Sequence, residues 1–211
     1  MEKFACIFQR LTRTVKHWAW HRKSAGCIQF WNIKNYKNSR DCEMNEINTM
    51  LLEGFYSRKI SMGEVKERFS LEGKSQCEFI HDLLIEARDK KDPDLLEDGI
   101  TLIFIFKEVY YPIKELNELL LESWHYKHED IASLLQDAKS PTSIDALNKA
   151  VMTKFDYLDF DDAYALAVKC IWALGGIGTS EAKDKLTEFS KSDNRVIKEN
   201  AIKQLKRHNL L

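Results

Sequence analysis

Two short stretches of this 211-residue chain concentrate side chains that could do chemistry. The first is Trp124-His125-Tyr126-Lys127-His128-Glu129-Asp130, where His128-Glu129 has the donor types of a metal site. Its simpler reading is a polar helix start in which Glu129 and Asp130 favour the positive helix N-terminus. The second, Phe155 to Tyr164, packs four carboxylates (Asp156, Asp159, Asp161, Asp162) and four aromatics into ten residues. A calcium loop would need oxygens at positions 1, 3 and 5, a central glycine and a distal glutamate, and these are missing. Two compatible readings remain. Asp161 or Asp162 caps a helix while the aromatics enter the core, or the stretch is an exposed acidic and aromatic patch suited to a cationic partner.

No Gly-rich phosphate loop, nucleophile elbow or His-Glu-x-x-His occurs, which counts against most enzyme classes. Cys6, Cys27, Cys42, Cys77 and Cys170 are odd in number, widely spaced and without a Cys-x-x-Cys pair or zinc-ligand spacing. They are expected to be reduced thiols in a cytoplasmic setting, with Cys77 and Cys170 as small core residues. The most apolar stretch, Ile100 to Phe106, is interrupted at once by Lys107 and Glu108, far short of a membrane span. No catalytic residue, metal, cofactor, membrane contact or direct nucleic-acid contact is expected.

Charge divides the chain. Residues 1–43 hold nine Lys/Arg against three acidic groups, a net +6, whereas residues 44–211 hold 23 basic and 30 acidic groups, a net −7. The head sustains no helical period and carries Trp18, Trp20 and Trp31. It reads as a basic arm, a transit-type peptide or an upstream stretch outside the natural product, and Met44 looks like a natural start. The domain is therefore expected over 44–211.

Helices must position the two chemical clusters, since three prolines and eight glycines leave few turns. Ser61-Met62-Gly63-Glu64 and Ser75-Gln76-Cys77-Glu78 have the capping-box form. Ile80, Leu83, Leu84 and Ala87 fall at i, i+3, i+4 and i+7 on one stripe, and Asp92-Pro93 starts a helix with Leu96, Ile100, Ile103 and Phe104. Two such short-linked helices should lie antiparallel. Pro112 starts another, expected to carry Leu116, Leu119, Leu120 and Trp124.

Asp162 to Gly178 places Ala163, Leu166, Ala167, Cys170, Ile171 and Leu174 on a stripe of mostly small side chains. Its end, Trp172-Ala173-Leu174-Gly175-Gly176-Ile177-Gly178, resembles the Ala-Leu-Gly-x-Ile-Gly ending of HEAT-type repeats, particularly the phycobilisome-lyase-like variety. A helix with Ala182, Leu186 and Phe189, a turn at Ser192-Asp193-Asn194 and a helix from Arg195 follow as in that family, although Asn194 stands for its proline and Ile197 for its arginine. At an offset of 52 residues Leu134 aligns with Leu186, Lys139-Ser140 with Lys191-Ser192 and Ile144 with Val196. The resemblance is good over 128–208, faint over 76–127 and absent over 1–60.

The resemblance implies an all-α solenoid, a HEAT-like array of antiparallel helix pairs, and a binding surface more than an active site. The HEAT-like deoxyhypusine hydroxylases hold iron with several His-Glu pairs, and this chain has only His128-Glu129, so no metal is carried over. The HEAT-like alkylpurine glycosylases hold DNA on a basic face. A −7 body would repel nucleic acid unless Lys and Arg are segregated onto one face or the basic head makes the contact. Small HEAT-like proteins also resemble the immunity partners of bacterial contact-dependent or polymorphic toxins. The expectation is a cytoplasmic, non-enzymatic inhibitor that covers the basic face of a cognate toxin, a nuclease. Asp156, Asp159, Asp161 and Asp162 would stand in for phosphates, and Tyr157, Trp124, Tyr126 or Trp172 would be buried anchors. The alternatives are a HEAT-like enzyme or accessory protein, pigment-lyase-like or in nucleic-acid repair, and a general interaction scaffold.

Overall fold

The computed structural model describes residues 44–106, 112–158 and 161–208; the basic segment 1–43 and its competing readings lie outside them. Among the described residues the protein is all-α, with α1 (Glu46–Tyr56), α2 (Met62–Arg68), α3 (Gln76–Lys90), α4 (Pro93–Phe106), α5 (Ile113–Leu119), α6 (His128–Ala138), α7 (Ile144–Met152), α8 (Ala165–Ile177), α9 (Ser180–Phe189) and α10 (Arg195–Arg207). Single 3-10 turns lie at Pro141–Ser143 and Asp156–Leu158. No helix among these residues is long and apolar enough to cross a membrane.

Local chemistry sets the starts. In both capping boxes the serine hydroxyl accepts from the glutamate backbone N–H, and the carboxylate accepts from the serine N–H, at 2.8 Å for Ser61 and 2.9 Å for Ser75. Asp92 accepts from the N–H groups of Asp94 and Leu95, both at 3.0 Å, and so starts α4 beside Pro93. Asn194 accepts from the N–H groups of Val196 and Ile197 and so caps the start of α10.

The N-terminal helices are joined by polar groups as well as by their apolar stripes. Ile80, Leu83, Leu84 and Ala87 of α3 are buried against α4, where Leu96, Ile100 and Ile103 are buried and Phe104 is half-buried. Asn48 is fully buried on α1 and exchanges two hydrogen bonds with the backbone of Ser70, donating to its oxygen at 2.8 Å and accepting from its nitrogen at 2.9 Å. Tyr56 donates to Asp98 at 2.7 Å, which fixes α1 to α4. The Arg88 guanidinium reaches Glu118 at 2.6 Å and links α3 to α5.

In the C-terminal half, α8 contacts α6, α7, α9 and α10. Its buried residues, Leu166, Ala167, Cys170, Ile171, Ala173, Leu174 and Gly175, are mostly small, so four neighbours can approach one axis. Burial also pushes the Cys170 thiol up to about 12, which leaves it an inert core residue. Gly178 closes α8 in the left-handed region at φ +69°.

Two sequence expectations need correcting. The α8 helix begins at Ala165, so Ala163 precedes it, is exposed and does not join the stripe. Trp124 lies beyond the end of α5 at Leu119. The sequential pair α6 and α7 make little contact with each other, because each packs on α8 instead. The internal offset does survive in the helix starts. His128 and Ser180 open α6 and α9 at 52 residues' separation, and Ile144 and Arg195 open α7 and α10 at 51.

At Gly175 the α8 helix passes close to α10: a Cβ there would overlap Gln204 Oε1 and lie 3.0 Å from the Gln204 Cβ. Gly175→Ala should therefore cost about 1–3 kcal/mol in urea denaturation, despite the better helix propensity of alanine. Adding Gln204→Ala should return most of the loss; no recovery would place the strain elsewhere.

Candidate functional site

The connection from α5 to α6 is partly buried, with Leu120, His125 and Lys127 inside, and its inner backbone groups must find partners. After Leu120 the chain turns with Leu121 N–H donating to Glu118 and Glu122 N–H to Leu119. Two fully buried imidazoles then complete the set. His125 donates from Nε2 to the Leu119 carbonyl at 2.8 Å and accepts at Nδ1 from the Lys127 backbone N–H at 3.1 Å. That fixes it as the neutral Nε2–H tautomer. His128 Nε2 donates to the Glu122 carbonyl at 2.6 Å, so Nδ1 accepts from the Tyr157 hydroxyl at 2.7 Å.

The two rings stack with centroids 4.2 Å apart. Phe155 covers His128 at 3.7 Å, and Trp124 stands edge-on to His125 at 5.0 Å. In these surroundings neither ring takes a proton readily. Burial lowers His125 to about 4, and burial with the neighbouring imidazole lowers His128 to about 3. Both ring nitrogens of His128 are occupied, so no lone pair is left for a metal ion. His128 is thus the buried first residue of α6, with Glu129 half-buried beside it.

A buried cation joins this connection to the N-terminal helices. Lys127 is 5 % exposed, and its ammonium donates to Glu97 on α4 at 2.5 Å, with Asp130 at 3.9 Å. Lys169 on α8 reaches the carbonyl and carboxylate of Glu129 at 3.1 Å and 3.3 Å. Burial raises the Asp130 carboxyl, and Lys127 and Lys169 oppose that rise. On the same helix as Glu97, burial pushes the Asp98 carboxyl up to about 7 even though the Tyr56 hydroxyl donates to it.

The sequence-selected residues divide between this place and others. Tyr126 is 48 % exposed and meets Tyr157 edge-to-face at 5.1 Å, with exposed Asp156 next in the chain to Tyr157. Trp124 joins the same cluster through His125. Asp162 is exposed, and Asp159 lies outside the described residues. Asp161 is engaged in capping: its carboxylate accepts from Ala163 N–H at 3.2 Å and Ala165 N–H at 2.6 Å. Trp172 faces α10, donating to Asn200 at 3.1 Å with the Arg207 guanidinium 5.5 Å over its ring. Sequence reasoning missed His125, Lys127 and Glu97 as members of one network. The two histidines are three apart, but His125 precedes the helix, so no helical period points to the stack.

Compared with known proteins, the chain matches no protein-family model, no curated protein and no solved structure.

Two measurements check the network. Histidine that is neutral when folded but titrates near 6.5 when unfolded stabilises the fold fully above that pH and progressively less below it. Asp98 acts in the opposite sense, since its folded value of about 7 stabilises the fold as pH falls through that point. Comparing wild type with His128→Gln between pH 6.5 and 5 isolates one imidazole, and the wild type should lose more stability than the variant, at about 0.7 kcal/mol per pH unit near 6.5 and about 1.4 near 5. Parallel curves would mean that His128 is charged in the fold. Separately, Lys127→Met should cost about 3 kcal/mol by stranding Glu97, and Lys127→Met/Glu97→Gln should cost less than the sum of the single changes. Strict additivity in urea titrations would break the proposed coupling.

Proposed function

We propose that this chain is a binding protein, an immunity-type inhibitor in the bacterial cytoplasm that neutralises a cognate toxin, a nuclease, by covering its basic face. In this reading residues 44–211 form a HEAT-like array of antiparallel helix pairs, and the contact is made by the surface around Tyr126 and Asp156. The observation that carries it is the Tyr126–Tyr157 pair, an exposed aromatic held edge-on to a second ring whose hydroxyl is fixed to buried His128. Such an anchor is ordered before any partner arrives, so binding costs less side-chain entropy. Asp156 and Asp162 are exposed near it in the chain and supply charge complementary to a cationic surface. Asp161 is spent on capping α8 and Trp172 on holding α10, so neither is the first choice as a contact.

The test is co-expression of the full chain with the product of its neighbouring gene, followed by calorimetric titration and a nuclease assay of that product. A one-to-one complex that abolishes cleavage is expected. Tyr126→Ala should weaken it by about tenfold or more, as loss of an aromatic anchor does. Asp156→Lys should slow association and flatten its salt dependence. Absence of a complex, or one indifferent to both variants, would sink this reading.

A further inference from the structure

A chain with a net-acidic body can still hold phosphates if its cations are segregated, and α10 meets that condition. Its thirteen residues contain five cations, Arg195, Lys198, Lys203, Lys206 and Arg207, and one carboxylate, Glu199, a net +4. Residues 44–194 carry 18 basic and 29 acidic groups, a net −11. The segregation follows from how α10 docks. Ile197, Ala201, Gln204 and Leu205 are buried toward α8 and α9, and all five cations are exposed on the remaining arc. From Arg195 to Lys206 the cationic row runs about 16 Å, three turns of helix. Arg195 is partly neutralised by Glu199 at 2.8 Å, and Arg207 lies over Trp172 with its guanidinium still accessible.

We propose that the outward face of α10 binds the phosphate backbone of nucleic acid without sequence selectivity, through a surface separate from Tyr126 and Asp156. The character of the face chooses this occupant over an acidic protein. Protein interfaces draw their affinity from aromatic or aliphatic anchors seated in pockets, and α10 offers outward only half-buried Val196 and Ile202 beside its cations. Backbone contacts need cations on a form that follows the duplex, and affinity comes from counterion release. A single convex helix fits the major groove, which is about 12 Å wide.

The test uses the full chain and a fluorescein-labelled 20-base-pair duplex in anisotropy titrations at several salt concentrations. Residues 1–43, net +6, add a constant background, so the reading is a difference between variants. The triple variant Lys198→Glu/Lys203→Glu/Lys206→Glu changes only exposed side chains and should keep the thermal midpoint of the wild type. It is expected to bind at least about tenfold more weakly and to show a salt slope shallower by about 3. Lys198→Gln/Lys203→Gln/Lys206→Gln removes the charge without adding repulsion, and should flatten the slope by a similar amount if the reversal variant fails to fold. Unchanged affinity and slope in the glutamine variant would overturn the proposal and assign any binding to other residues. Equal displacement of the duplex by polyglutamate, charge for charge, would also overturn it and make the face one for acidic proteins.

Discussion

A partly buried connection between helices has to satisfy its inner backbone groups, and the α5–α6 connection does so with imidazoles. Glycine, the usual means of closing a helix end through backbone turns, is missing between Leu119 and His128. His125 and His128 take the carbonyls of Leu119 and Glu122 in its place. Their remaining ring nitrogens then accept, one from Lys127 N–H and one from the Tyr157 hydroxyl. The hydrogen bonds place the proton of His125 and make it neutral, and burial beside a second imidazole keeps His128 neutral. The geometry makes one small volume responsible for three jobs: it ends α5, starts α6 and holds the 3-10 turn bearing Asp156 and Tyr157. Exposed Tyr126 is held in place because half-buried Tyr157, on which it packs, is tied by its hydroxyl to buried His128.

The same volume couples the two halves of the chain. Lys127 sends its ammonium to Glu97 on α4, and two residues on Glu129 receives Lys169 from α8. Apolar packing is non-directional and would tolerate a slide of α4 over α6, whereas a buried ammonium bonded to one carboxylate would not. A polar link is thus poor at adding stability and good at fixing register. On the C-terminal side the register is fixed by shape instead, through Gly175 against Gln204 and the small residues of α8.

How much of this was legible in the sequence follows from the range of the forces involved. Both capping boxes, the Asp92 and Asn194 caps and the apolar stripes of α3, α4, α9 and most of α8 act over four residues or fewer, and the chain spells them out. The start of α8 lies two or three residues beyond the expected one because Asp161 caps from a distance: its carboxylate reaches Ala165 while Tyr164 sits in the left-handed region at φ +51°. That geometry follows from the turn, and residue type does not disclose it. Around the candidate site the aromatic and acidic residues were visible as composition, but their separation was not. Tyr126 and Tyr157 are 31 positions apart, and Trp172, read as an anchor, is taken up by Asn200 and Arg207 on α10. Long-range pairings of this kind depend on which faces the helices bury.

Charge shows the same distinction between composition and arrangement. A net of −7 over residues 44–211 argues against phosphate binding only if the charges are mixed, because a Debye length of about 8–10 Å makes each patch of surface answer mainly to its own charges. The α10 helix, +4 over about 20 Å, is longer than that screening distance. A polyanion close to its outer face therefore meets a cationic surface, and the acidic helices beyond contribute little at physiological salt. Asp156 and Asp162, by the same reasoning, present a locally negative field to a cationic partner whatever α10 carries. The net charge of the molecule consequently decides neither interaction, and the burial pattern of α10, which turns five cations outward, decides one of them.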